Sequence, residues 1–155
     1  MTILRRLLLV LCLGLPCLGA FAASGDTFLP LPQDLPRAAA AANARGLPLI
    51  LLVSLTDCAF CEKIRREHLS PLLKSGVPVW QIYLDTDAQL VGFDGKPITE
   101  RQLAKDLKVR VAPTVFFFDA KGRQLSAPLV GTMLDDFYAG YLEQAILTAG
   151  KKITF

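Results

Sequence analysis

The chain has 155 residues, 52 % of them hydrophobic, and a formal net charge of +3. That length accommodates one domain with a buried core. No basic tract or interleaved aromatic patch occurs, which argues against a nucleic-acid partner, and Lys151-Lys152 reads as a solvated tail.

The N-terminus has the layout of a secretion signal. Arg5 and Arg6 form a positive region, residues 7–18 an apolar stretch, and Ala20-Phe21-Ala22 a small-x-small cleavage site. The sequence therefore predicts a signal peptide over residues 1–22, a mature start at Ala23 and export, most simply to a periplasm. The apolar run 7–23 is broken by Gly14 and Pro16 and spans about 17 residues, the short edge of a membrane span. The alternative is an uncleaved N-terminal anchor with the folded part facing the periplasm. Cleavage removes Arg5, Arg6, Cys12 and Cys17 but no acidic residue. The mature balance becomes 15 basic against 14 acidic residues, and two of the four cysteines remain.

Residues 23–36, with Pro30, Pro32 and Pro36, read as an extended lead-in over the surface. Residues 37–45 are Ala-rich and helical, and Gly46 stands where a left-handed C-terminal cap belongs. Leu49-Ile50-Leu51-Leu52-Val53 is a continuous apolar run, the pattern of a strand covered on both faces. A helix-forming run over 62–69 follows, with a break expected at Ser70-Pro71 and Ser70 as the cap of a second short helix. Residues 79–84 form another strand, and 86–97 a polar loop with an Asp94-Gly95-Lys96 turn. Thr99 and Gln102 make a capping box, with Ile98 and Leu103 as a hydrophobic staple, for a helix over 100–107. Residues 115–118 and 125–130 read as a hairpin around Asp119-Ala120-Lys121-Gly122. A last helix, with Leu134, Phe137, Tyr138, Tyr141, Leu142, Ala145 and Ile146 on one face, ends at Gly150. The domain runs over 37–150, with 151–155 as a tail.

Chemistry concentrates at Cys58-Ala59-Phe60-Cys61, where the first strand gives way to a helix. Two thiols one helical turn apart can close a disulfide and reopen it, and a helix N-terminus makes the first thiol more acidic. This reads as a thiol–disulfide exchange site. Three other uses of the pair fit less well. Structural zinc wants four Cys or His ligands, and the mature chain offers Cys58, Cys61 and His68. Covalent haem attachment needs C-x-x-C-H, and residue 62 is Glu. A purely structural bridge would close too small a loop to stabilise much. His68, just before the expected break, reads as a surface or capping histidine.

Strand, C-x-x-C helix, strand and helix, followed by Val111-Ala112-Pro113-Thr114 leading into Val115-Phe116-Phe117-Phe118-Asp119 and a Lys121-Gly122 turn, resemble the thioredoxin superfamily. The Asp-Gly-Lys loop and Gly131 after the last strand are most similar to exported thioredoxin-related proteins of the SoxW type. The resemblance covers residues 37–149. It implies an α/β thioredoxin fold, a central mixed sheet of about four strands flanked by helices. Pro113 matches the family's cis-proline, so Ala112 would offer its N–H and C=O to an extended substrate.

The chain departs from that pattern in three places. Asp57 stands where thioredoxins commonly have tryptophan; its carboxylate could cap the helix, and its charge disfavours the Cys58 thiolate. The buried aspartate of thioredoxins falls at Leu52, so proton handling for Cys61 must use another group or water, with Glu62 and Lys63 as adjacent candidates. Phe60 replaces the family's proline and is either an apolar docking surface or a packed residue.

The resemblance implies a monomeric periplasmic thiol–disulfide oxidoreductase that reduces protein disulfides through Cys58 and Cys61. It implies no bound cofactor beyond the redox-active Cys58–Cys61 disulfide. Its partners would be disulfide-containing exported proteins and, as electron donor, a membrane thiol-transfer protein. The alternative is a thioredoxin-fold binding or assembly factor with an incidental or structural disulfide.

Overall fold

The apolar run of residues 49–53 becomes the middle of the molecule, and every other element is placed by it. A computed structural model describes residues 28–132 and 137–153. The expected signal peptide with Cys12 and Cys17, the cleavage site, and Leu134 lie outside those residues. In chain order the elements are α1 (Leu35–Asn43), β1 (Leu49–Ser54), α2 (Ala59–Ile64), a π-helical turn (Arg65–Leu69) and α3 (Ser70–Lys74). They continue as β2 (Val79–Tyr83), β3 (Gln89–Val91), β4 (Pro97–Thr99), α4 (Glu100–Asp106), β5 (Thr114–Phe118), β6 (Leu129–Val130) and α5 (Tyr138–Gly150).

β1 is buried at every position. It runs parallel to β2 and antiparallel to β5, and β6 pairs antiparallel with β5, giving a mixed four-stranded sheet in the order β2-β1-β5-β6. Because strand side chains alternate in direction, the unbroken apolar run feeds two cores. Ile50, Leu52, Val115 and Phe117 pack with Ile64, Leu69 and the Tyr138/Leu142/Ala145/Ala149 stripe of α5. Leu49, Leu51, Val53, Phe116 and Phe118 pack on the other face with Leu35 and Ala39 of α1 and Leu103 and Ala104 of α4. Each buried Leu, Ile, Val or Phe side chain among them stabilises the fold by about 1.5–3 kcal/mol relative to exposure.

Local signals placed several boundaries well. Gly46 adopts φ +71°, and the N–H groups of Gly46 and Leu47 return to the carbonyls of Asn43 and Ala42, closing α1 as expected. Thr99 caps α4 by accepting from the Gln102 N–H at 3.1 Å, but the Gln102 side chain reaches forward to Asp106, so half of the expected capping box forms.

Elsewhere the structure corrects the sequence reading. The cysteine helix does not break at Ser70, which is helical itself, and the N-cap position of α3 falls on Leu69. The Ser70 N–H bonds to the Arg65 carbonyl five residues back. A proline ring clashes with the carbonyl four residues before it in a regular helix, and the wider turn carries the chain past Pro71. The lead-in is not a loose surface strand. Leu29 is fully buried, the Pro30 carbonyl accepts from the Gln81 N–H at 3.0 Å, and the Gln33 carbonyl accepts from the Val91 N–H at 2.8 Å. It thereby covers the edge of β2, whose unpaired main chain would otherwise be open. The polar loop 86–97 contains the β3–β4 hairpin around Asp94-Gly95-Lys96. Only Leu129–Val130 of the second expected hairpin strand is a strand, because Pro128 lacks a ladder donor. Phe137, just before α5, and Tyr141 of α5 project into solvent, off the buried stripe.

Candidate active site

β1 delivers the chain to the cysteines. Cys58 is extended (φ −135°, ψ 99°) and is itself the N-cap of α2, its sulfur accepting from the Cys61 N–H at 3.1 Å. Asp57 is exposed one residue earlier and is therefore not the cap. Cys58 and Cys61 form a disulfide (S–S 2.01 Å, Cα–Cα 5.2 Å). Cys61 is fully buried, while Cys58 is half-buried and Phe60 between them is 65 % exposed. The arrangement presents one sulfur and one aromatic ring to solvent and keeps the second sulfur behind them. Among the described residues, no cluster of His, Cys, Asp and Glu is placed to hold a metal ion.

Beneath the cysteines lies a polar network that the sequence reading missed. Arg65, one turn beyond Cys61, is only 9 % exposed. Its Nε donates to Gln81 Oε1 at 2.9 Å, one terminal nitrogen donates to Ser54 Oγ at 3.2 Å, and the other pairs with the Glu62 carboxylate. Gln81 Nε2 donates onward to the Tyr83 hydroxyl at 3.1 Å. The register places Leu52 opposite Gln81 and Ser54 opposite Tyr83, so these groups share the sheet face on which α2 packs. Leu52 is fully buried against the cysteine helix, and the next β1 residue on that face, Ser54, is polar. The signal was present: Ser54 and Gln81 interrupt apolar strands, and Arg65 lies four residues from Cys61. Glu62 is half-exposed in its pair with Arg65, Lys63 is half-buried, and His68 packs at a tilt against Tyr138 of α5 with ring centroids 4.8 Å apart.

The loop before Cys58 is pinned from the opposite side. The Asp85 carboxylate accepts from the Thr56 hydroxyl at 2.6 Å and from the Thr56 N–H at 3.2 Å. The hydroxyl bond, working against partial burial and aided by the N–H, holds the Asp85 carboxyl below the usual carboxylate range. Arg101 donates to the Asp85 carbonyl and forms a fork with Asp87, and buried Glu100 accepts from the Tyr83 N–H at 3.0 Å and from the Thr86 hydroxyl. The start of α4 thus braces the β2 end, which braces the cysteine loop.

Pro113 precedes β5, whose Thr114 pairs with Val53, so the Ala112–Pro113 segment lies beside the end of β1 from which the cysteine loop departs. The Ala112–Pro113 bond is cis, Pro113 is buried, and its carbonyl accepts from the Gly131 N–H at 2.7 Å. Ala112 is half-buried, and Val111 and Val130 are each about half exposed on this side of the sheet.

A family model described as a thioredoxin-like domain matches residues 35–146, well over half of the chain. The chain belongs to the thioredoxin-like domain family. Similar solved folds include oxidised thioredoxin O2 from Arabidopsis thaliana, at 19 % identity and TM-score 0.50, covering 74 % of this chain and 91 % of that one. A thioredoxin-fold protein from Helicobacter pylori has 14 % identity and TM-score 0.51, covering 77 % and 84 %. A thioredoxin from Thermus thermophilus has 21 % identity and TM-score 0.50, covering 76 % and 87 %. At these identities the likeness establishes the fold. No curated protein sequence matches the chain. The thioredoxin-like domain, its central four-stranded mixed sheet and its C-x-x-C disulfide together support thiol–disulfide oxidoreductase chemistry in general terms.

Proposed function

We propose that this chain is an exported thiol–disulfide oxidoreductase that reduces protein disulfides, akin to the SoxW-type thioredoxin-related proteins. The observation that carries this reading is the unequal exposure of the two bonded sulfurs, Cys58 reachable at a helix N-terminus and Cys61 buried behind it. In the reduced protein the Cys58 thiolate attacks a substrate disulfide, forming a mixed disulfide and releasing one substrate thiolate. Cys61 then gives up its proton and attacks Cys58 Sγ. The mixed bond breaks, the second substrate thiolate leaves, and two electrons have passed from the dithiol to the substrate. No bound cofactor is required.

Phe60, Val111, Ala112 and Pro113 supply an apolar, partly open rim over which an extended client can lie, with the Ala112 main chain as its hydrogen-bonding edge. Reduction is favoured over oxidation because Asp57 adjoins Cys58 and no histidine lies between the cysteines to stabilise the thiolate. The expected potential lies nearer thioredoxin's (about −270 mV) than the strong exported oxidants' (about −120 mV). A monomer in the periplasm, recharged by a membrane thiol-transfer protein, completes the reading. Its basis is the Arg5-Arg6, apolar and Ala20-Phe21-Ala22 pattern.

Reduction of insulin in the presence of dithiothreitol tests the chemistry. The wild type should accelerate it and Cys58→Ser should not. A wild type without activity would point instead to a binding or assembly factor. N-terminal sequencing of exported material should begin at Ala23, and a start at Met1 would indicate an anchor.

A further inference from the structure

A guanidinium is a costly thing to bury, and a hydrophobic side chain of similar volume would fill the space under α2 at less expense. Arg65 is nevertheless locked there from three directions by Ser54, Gln81 and Glu62. Residues four apart on a helix have Cβ atoms about 5–6 Å apart, so Arg65 and Cys61 are neighbours on the inner face of the cysteine helix. Both are buried.

The exchange cycle proposed above requires Cys61 to become a thiolate inside the protein, where an isolated negative charge is strongly disfavoured. The aspartate of thioredoxins is replaced here by fully buried Leu52, which can neither accept a proton nor offset a charge. We propose that Arg65 is a positioning residue for the resolving step, its fixed buried cation stabilising the Cys61 thiolate, with Glu62 tempering that effect. This rests on the exchange reading and adds the group that sets the ionisation of its second thiol. The Arg65 side chain is 11 % exposed and that of Glu62 41 %, so water screens the carboxylate more than the guanidinium. The other charged or titratable groups around this end of α2 are Asp57 and Lys63 on the helix and its approach, and Tyr83 and Asp85 on β2 and the loop after it. Ser54 and the Pro113-Thr114 segment add none.

The test is stopped-flow reaction of the reduced protein with 5,5′-dithiobis(2-nitrobenzoate). Attack by Cys58 releases one nitrobenzoate thiolate. Attack by Cys61 on Cys58 Sγ releases the second, and the pH profile of that second phase reports Cys61. Arg65→Met should raise its midpoint by about one pH unit. At pH 7 the phase should slow about threefold, because the lost thiolate outweighs the gain in intrinsic nucleophilicity, and above the midpoint it should be no slower than wild type. Glu62→Gln should shift the midpoint the other way, and Arg65→Lys should fall between Arg65→Met and wild type. Damage to packing alone would slow the phase at every pH and would not give opposite shifts. Midpoints that stay together or move in one direction overturn the assignment. Should Arg65→Met fail to fold, Arg65→Lys, which keeps a cation but not the fork, decides the question, and a midpoint no higher than wild type overturns the assignment. A wild type that releases only one equivalent of thiolate overturns the exchange reading itself.

Discussion

Thr56 and Asp85 tie the cysteine loop to the end of β2 through two hydrogen bonds on a single carboxylate, one from the hydroxyl and one from the main chain. Both bonds favour the ionised form of Asp85, whose carboxyl is held below its ordinary value. A carboxyl lowered in the folded state contributes stability above its unfolded value, near 3.9, and loses it as pH falls through the folded value. Asp85→Asn should therefore cost about 1 kcal/mol at pH 7, a modest figure because the pair is partly solvated. The difference from wild type should close as pH drops below about 4. Urea unfolding at pH 7 and pH 3 measures this, and faster hydrogen exchange at the Thr56 amide would locate the loosening beside Cys58.

A second contact couples two turns far apart in sequence. Gly122 sits at φ +74°, and a Cβ there would come within 2.5 Å of Phe93 Cγ. Phe93, from the β3–β4 hairpin, in turn packs on Phe118 of β5 with ring centroids 4.9 Å apart. Gly122→Ala thus combines left-handed strain with overpacking and should destabilise by roughly 2–4 kcal/mol. In a Phe93→Ala background the ring contacts at 2.5 and 2.9 Å disappear, while the 2.7 Å contact with the residue-93 Cβ and the backbone strain stay. The added cost should then fall only in part, to about 2–3 kcal/mol, a non-additivity that a double-mutant cycle reads directly.

These contacts mark where the sequence was legible. Leu49–Ser54 announced a two-sided strand because unbroken apolar runs have few other uses. Gly46 and Thr99 announced helix ends through side-chain chemistry that acts within four residues. The C-x-x-C pair was equally local. What was not legible depended on partners distant in the chain. Leu29 is buried only because β2 offers an open edge, the three-residue strands β3 and β4 are too short to show a period, and Arg65 reads as surface charge until Ser54 and Gln81 are known to face it. Ser70-Pro71 looked like a break because the same residues that start a helix also fit a π-turn inside one.

The unequal exposure of the two sulfurs makes a simple chemical prediction. After reduction, brief treatment with iodoacetamide near neutral pH should label Cys58 well ahead of Cys61, since the first is half-buried at a helix start and the second has no exposed surface. Peptide mass mapping distinguishes them. Faster labelling at Cys61 would reverse the roles assigned to the two thiols.

Lys108 offers a route to a more stable protein without touching the site. It follows α4 at φ +57°, its N–H bonded to the Lys105 carbonyl at 2.9 Å and the Val109 N–H to the Ala104 carbonyl at 3.0 Å. This is the helix-ending geometry that Gly46 adopts after α1, here imposed on a residue with a Cβ. The left-handed conformation costs a non-glycine residue about 1–2 kcal/mol, whereas glycine adopts it freely. Glycine also gives the unfolded chain more freedom, which takes back about 0.4–1 kcal/mol. The side chain is exposed, so little packing is lost. Lys108→Gly should therefore gain about 0.5–1 kcal/mol and raise the melting temperature by roughly 2–5 °C. Lys108→Ala removes the same charge but keeps the Cβ, and should gain nothing. Calorimetry of the two variants separates backbone strain from charge, and an equal gain in both would assign the effect to the lysine charge instead.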